Sequence, residues 1–132
     1  MSGTAQMRAH APVLMVEDVV RAHDYYAGKL GFGSPRMWGD PPTFCIARRD
    51  GLELMLAQVD EGKAVHPNAE NAGRIDAYFW VNDADGLRAE FASNGAELLG
   101  EPEDQPYGMR EFLVRDPDGH VLAFGSDTTG AA

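Results

Sequence analysis

Tyr78 and Trp80 stand two positions apart in the apolar run Ala77-Tyr78-Phe79-Trp80-Val81. Phenol and indole faces stack on planar heteroaromatics and attract cations. Tyr107 and Met109 flank Gly108 at the start of a later strand and form a candidate rim. Trp38, in the irregular segment Arg36-Met37-Trp38-Gly39-Asp40, reads either as a loop anchor or as a ligand wall. Glu111 offers a counter-charge to a cation, unless it pairs with Arg110 or Arg115. Trp80 itself has an alternative use as filler between packed elements. Catalytic signatures are missing: the sequence has no activated-nucleophile motif, no glycine-rich phosphate loop and no His-Glu-x-x-His pair. Its one cysteine, Cys45, lies in Phe44-Cys45-Ile46-Ala47, which points to a buried thiol, and a single cysteine allows neither an internal disulfide nor a cysteine-ligated zinc.

Charge narrows the partners. The 132 residues carry 21 acidic and 11 basic side chains, a net charge of −10. Residues 1–66 hold 8 acids and 7 bases, and residues 67–132 hold 13 and 4, so the excess belongs to the second half. That field repels phosphate backbones and anionic membranes, so nucleic acid and membrane surfaces are not expected as partners. It permits a cationic ligand, although a solvated acidic surface is the commoner source of such a charge. With 44% hydrophobic residues and no signal-like or membrane-spanning run, the sequence predicts one cytoplasmic globular domain.

The elements that must position these residues follow from period and punctuation. Pro12-Val13-Leu14-Met15-Val16 reads as a strand, and Asp18 as the N-cap of a helix. Val19, Ala22, Tyr26 and Leu30 form the buried face of that helix, which Gly31 ends. Thr43–Arg48 and Leu52–Gln58 read as a hairpin around Asp50-Gly51, followed by a connecting loop over 59–74. The order then restarts: strand 77–81, cap Asp83, helix face Leu87 and Phe91 with Gly95 as its stop, strand 111–115, the turn Asp116-Pro117-Asp118-Gly119, and strand 120–125. Residues 126–132 read as a frayed tail. Val16-Glu17-Asp18 matches Val81-Asn82-Asp83 at an offset of 65, and Asp50-Gly51 matches Asp118-Gly119 at 68. Two β-α-β-β(-β) copies are therefore predicted, an α+β fold whose two sheets curl around a cleft.

Pro12-Val13-Leu14 with Val16-Glu17-Asp18-Val19, Tyr25-Tyr26 and Leu30-Gly31-Phe32 resembles the opening module of the vicinal oxygen chelate superfamily. That superfamily includes glyoxalase I, extradiol dioxygenases, fosfomycin-resistance enzymes and bleomycin-resistance proteins. Tyr78-Phe79-Trp80-Val81, Arg88-Ala89-Glu90-Phe91, and the run from Gln105-Pro106-Tyr107-Gly108-Met109-Arg110-Glu111-Phe112 into Arg115-Asp116-Pro117-Asp118-Gly119 look most like the bleomycin-resistance branch. The resemblance implies two tandem βαβββ modules in one domain, residues 8–126, with repeats at about 8–62 and 73–126. It also implies a homodimer with ligand grooves between subunits.

Metal-using members hold a divalent ion with His, Glu or Gln at four inward-facing strand positions. Carried over, these are Ala11, Met55, Asp76 and Ala123, of which only Asp76 suits a hard or borderline ion. His10 is one residue from the first position, and one residue in a strand turns a side chain to the opposite face unless a bulge intervenes. Glu53 shares a face with Met55 but has no histidine partner there. His120 flanks a turn and reads as exposed, and His23 and His66 read as surface residues. The resemblance therefore implies neither metal nor cofactor here. The same positions point Met15, Val13, Asp76, Tyr78 and Trp80 into the cleft and Leu14, Val16, Phe79 and Val81 under the helices. The expected function is a metal-independent binding protein that sequesters or carries a planar aromatic or cationic compound of the bleomycin type. Two alternatives stay open: a metal-dependent lyase or isomerase on a displaced set (His10, Glu53, Asp76), and a metal-free enzyme using Glu111 or Asp76 as general base.

Overall fold

The computed structural model of the protein describes residues 3–128. The first strand, β1 (Val13–Val16), alternates as its pattern requires, with Leu14 and Val16 buried and Val13 and Met15 exposed. Asp18 then starts α1 (Val19–Leu30), its carboxylate accepting from the amides of Val20 at 3.0 Å and Arg21 at 3.1 Å. Satisfying free first-turn donors in this way stabilises a helix by about 1 kcal/mol. Val19, Ala22, Tyr26 and Leu30 are the buried face, and Gly31 ends the helix at φ 75°.

Three strands complete the first unit: β2 (Gly33–Gly39), β3 (Pro42–Arg49) and β4 (Leu52–Gln58). Asp50 and Gly51 both have positive φ, the requirement of the tight hairpin turn that joins β3 to β4. The sheet order is β1-β4-β3-β2, with β1 and β4 parallel. The segment around Trp38, expected to be irregular, is strand β2, because its backbone pairs with β3 through bulges. The loop after β4 contains a single 3-10 turn at Asn68–Glu70.

The second unit repeats the plan. It comprises β5 (Ala77–Trp80), α2 (Ala84–Ser93), the short β6 (Glu97–Leu98) and β7 (Glu103–Asp104), then β8 (Met109–Arg115) and β9 (Val121–Asp127). Asp83 caps α2 through Gly86 N at 2.9 Å. The order is β5-β9-β8-β6, again with the first strand parallel to the last, and β7 also pairs with β8. Strands β6 and β7, each paired with β8, are only two residues long and leave no period in the sequence. Strand β9 runs on through Ser126 and Asp127, part of the expected tail, and 129–132 of that tail lie outside the described residues.

The fold is thus α+β, two mixed sheets with two helices, consistent with two βαβββ modules. The helix-facing sides merge into one core. Phe124 sits at its centre in the second unit, stacked on Phe79 (5.0 Å) and Phe112 (5.3 Å) and edge-on to Phe91 (5.2 Å). Phe32, just after α1, meets Phe79 edge-on at 5.9 Å and ties the two units together. Cys45 is buried in this core. No helix among the described residues is long and apolar enough to cross a membrane.

Candidate functional site

The sheet faces turned away from the helices carry the expected site residues, in two separate rows. In the first sheet, register places Met15 beside Ala57, Ala57 beside Phe44 and Phe44 beside Trp38. This row is wholly apolar. Trp38 packs on Phe44 at 5.4 Å, and both Met15 and Trp38 are more than two-fifths exposed. In the second sheet the corresponding row runs Trp80, Gly125, Glu111.

The second row is chemically richer. Glu111 accepts a hydrogen bond from the Tyr78 hydroxyl on Oε2 and one from the Tyr107 hydroxyl on Oε1, both at 2.7 Å. Tyr78 reaches Glu111 by crossing the backbone of Gly125. A Cβ at that position would collide with the Tyr78 hydroxyl and lie 3.2 Å from Glu111 Cγ. Burial, followed by the hydrogen bond and charge of Glu111, pushes the Tyr78 phenol well above its usual range. The Tyr107 phenol is raised as well, mainly by its bond to the same carboxylate. Both phenols therefore stay protonated and keep donating.

Trp80 stands beside Tyr78, ring centroids 5.0 Å apart, and is 77% exposed; Tyr107 is 65% exposed. Met109 precedes Glu111 on the same face of β8 and is half-buried. Glu111 does not pair with Arg110 or Arg115: Arg110 binds Asp85 and Asp104, and Arg115 binds Glu97. No Lys, Arg or His among the described residues forms an ion pair with it.

Two open grooves meet at Trp80. One, of about 720 Å3, runs between Arg8–Pro12, the start of β4 and β5, with His10, Glu53 and Tyr78 in its walls. The other, of about 470 Å3, has Phe32, Phe79 and Phe91 in its walls, with Leu87 beside them. Leu52, Phe79 and Trp80 line both.

Asp76 has a different position from the one its strand register suggests. Its side chain is only 6% exposed. Oδ1 accepts from Asn68 N at 2.7 Å and Oδ2 from Val121 N at 2.9 Å, so both oxygens hold backbone. His120, expected at the surface, is buried next to it. Its Nε2 donates to the Met15 carbonyl at 2.7 Å, and Nδ1 lies 3.3 Å from Asp76 Oδ1. Burial opposes charge on this ring. The Met15 carbonyl, Asp116 and Asp76 outweigh it and raise the imidazole above its ordinary value.

Asp116 anchors the same cluster. It accepts from the Tyr26 hydroxyl (2.7 Å) on one oxygen and from the amides of Asp118 and His120 (2.9 Å each) on the other. Asp118 in turn takes the Glu17 amide at 2.9 Å and pairs with Arg21 at 3.3 Å. The Asp-Pro-Asp-Gly turn is thus a seam between the units. His23 is largely tucked in, whereas His66 is exposed as expected.

The four positions carried over for a metal do not fit one. Ala11 and Ala123 have no donor atoms, Met55 offers only a thioether, and Asp76 is committed to backbone amides. His10 is exposed and Glu53 pairs with Arg48 at 3.2 Å, so the displaced set does not converge either. No three His, Cys, Asp or Glu side chains among the described residues come together as a metal cluster.

Sequence reasoning missed Gly125 and the Asp116–His120 seam. A glycine inside an apolar strand is a signal of close approach, and the Asp-Pro-Asp-Gly turn had carboxylates to spare.

Comparison with known proteins agrees with this architecture. The family model for the glyoxalase/bleomycin resistance protein/dioxygenase superfamily matches residues 8–124. An uncharacterised protein of Mycobacterium bovis is 30% identical, over 89% of this chain and 82% of its own. Among solved structures, the bleomycin-binding protein of Streptomyces verticillus, complexed with copper(II)-bleomycin, superposes with a TM-score of 0.70. It is 24% identical and the match covers 92% of this chain and 97% of that one. TioX from Micromonospora sp. ML1 gives 0.68 at 23% identity, over 92% and 99%. At these identities the likeness extends to the fold.

Proposed function

This chain belongs to the glyoxalase/bleomycin resistance protein/dioxygenase superfamily, and from that premise we propose that it is a metal-independent binding protein for a planar aromatic, cationic small molecule. One observation carries the reading: Trp80, packed on Tyr78, and Tyr107, bonded to Glu111, are exposed aromatic rings linked by the Tyr78–Glu111 bond over Gly125, and Trp80 lines two open grooves. Exposed aromatics usually cost solubility, and holding them in a rigid wall serves a ligand that stacks. Sequestration needs no nucleophile and no general base. Glu111, the one free-standing acid in the wall, already holds two phenol protons. Bleomycin-type glycopeptides are a reasonable first class of ligand, given the fold shared with a bleomycin-binding protein.

The protein acts in this reading as a homodimer. The open face of the first sheet, with Val13 55% exposed and Met15 and Trp38 beside it, is the surface a second copy covers.

The test is thermal unfolding with bleomycin, planar cationic antibiotics and simple aromatic acids, run alongside sedimentation. A true ligand at 100 times its dissociation constant stabilises the fold by about 2.7 kcal/mol. Aromatic cations are expected to raise the midpoint and aromatic acids to leave it unchanged. No shift with any planar cation overturns the binding reading. A purely 14 kDa species at micromolar concentration overturns the dimer.

A further inference from the structure

Glu111 is unusual among the acids of this chain in what surrounds it. Its two oxygens are each occupied by a phenol hydroxyl at 2.7 Å, while no basic side chain among the described residues pairs with it. Most other acids of the second half are spent differently. Asp76 and Asp116 hold backbone amides, Asp83 caps a helix, and Asp85, Glu90, Glu97, Glu101 and Asp104 pair with arginines. Two aromatic rings touch Glu111, Tyr78 and Tyr107, and a third, Trp80, packs on Tyr78 with ring centroids 5.0 Å apart. Gly125 is the floor that lets Tyr78 lie across the strand.

From this arrangement we infer that the Tyr78–Trp80–Tyr107–Glu111 corner is a half-cage for an organic ammonium group, and that it prefers a methylated ammonium to a primary one. The inference rests on the binding reading above and names the chemical group of the ligand that enters this corner. Aromatic faces attract a cation through their quadrupole, and a nearby carboxylate adds its field. The phenol hydroxyls settle the preference. They take one lone pair on each Glu111 oxygen, so a primary ammonium finds fewer open acceptors there for its three N–H groups. What remains is the full carboxylate charge with part of its accepting capacity spent. A trimethylammonium has no N–H to satisfy and gives up little hydration, so it suits the corner better. Trp80 also lines both grooves, so the rest of the ligand extends from the corner along either one.

The experiment titrates the full chain with benzyltrimethylammonium, benzylamine and benzyl alcohol, following the indole N–H resonances by NMR. Benzyltrimethylammonium is expected to bind most tightly and benzyl alcohol least, with the amine between them. Glu111→Gln keeps the shape and removes the charge. It is expected to weaken the trimethylammonium probe about tenfold, within the range of one close opposite charge near a protein surface, and to leave benzyl alcohol unchanged. Tyr107→Ala removes one exposed wall without touching the core; it should weaken the trimethylammonium probe and, by freeing Glu111 Oε1, narrow its advantage over benzylamine. Equal binding of all three probes, or no loss in either variant, overturns the ammonium inference and leaves the aromatic groove standing. Tighter binding of benzylamine than of its trimethylated counterpart overturns the stated preference. Absence of binding by all three overturns this inference, while the separate trial with larger planar cations decides the groove itself.

Discussion

The two units share a strand order and diverge in what equivalent positions carry. The repeat offset of 65 to 68 places Met15 over Trp80, Ala57 over Gly125, Arg48 over Asp116 and Leu52 over His120. In the first sheet the outer row is Met15, Ala57 and Phe44, and its hairpin tip is exposed, Arg48 pairing only with Glu53. In the second, the same row is Trp80, Gly125 and Glu111, and the matching turn is buried against α1. The scaffold therefore tolerates either use of an open sheet face. One copy keeps an apolar surface; the other gives up a Cβ, gains a carboxylate and builds a polar, aromatic corner. The turn shows the same division, since only the second copy turns its carboxylates inward to join the units.

The largest test of that contrast compares the turns. Asp116→Ala removes the acceptor for Tyr26 Oη and for the amides of Asp118 and His120, all in the buried seam. Stranding such donors is expected to cost about 3 kcal/mol. Arg48→Ala, the equivalent change in the first unit, removes only a surface ion pair and should cost less than about 0.5 kcal/mol. Urea unfolding of both variants measures the difference; similar losses would mean that the second turn is no more a seam than the first.

Next in size is the exchange of the two row centres. Gly125→Ala gives the second sheet the residue of the first. Its Cβ displaces the Tyr78 hydroxyl from Glu111, and overpacking of this kind costs about 1–3 kcal/mol. Ala57→Gly makes the opposite exchange and loses about 1 kcal/mol through backbone entropy alone. Loss of the Tyr78–Glu111 bond should also appear as an altered tyrosine absorbance on alkaline titration, because that phenol, raised first by burial, then loses the further rise that Glu111 adds. An unchanged titration in Gly125→Ala would show that Gly125 does not set the corner.

Legibility in the sequence divides along the same line. The helices, with caps at Asp18 and Asp83, and the alternation of β1 and β5 were readable because each is a local rule written in neighbouring residues. So was the assignment of Tyr78 and Trp80 to one face. Asp76 and His120 were misplaced because their environment comes from three segments far apart in the chain: Met15, the stretch around Asn68, and the turn itself. Strand alternation gives the direction of a Cβ, not what a short carboxylate finds there. Trp38 lost its strand to the prolines and glycine around it, whose usual message is a loop. Pairing through bulges overrode that message.

The smallest expected effect separates the units by pH. His120 is buried between Asp76 and the Met15 carbonyl, whereas Leu52, its counterpart, is half exposed and does not titrate. A raised imidazole binds its proton more tightly in the fold than in the unfolded chain, whose value is near 6.5. The stabilisation it provides is therefore complete below that unfolded value and is lost as pH rises through the higher folded one. The unfolding midpoint should fall between about pH 6 and pH 8, the range over which histidine charge changes. In His120→Gln the chain starts from lower stability, because the seam loses a donor, but that slope should flatten. Asp116, whose carboxyl burial raises, is present in both chains, so the difference between them reports His120. If the parent midpoint is flat across the window, or if the slope survives in His120→Gln, the imidazole is not held charged by the seam. The second unit would then differ from the first in packing but not in proton binding.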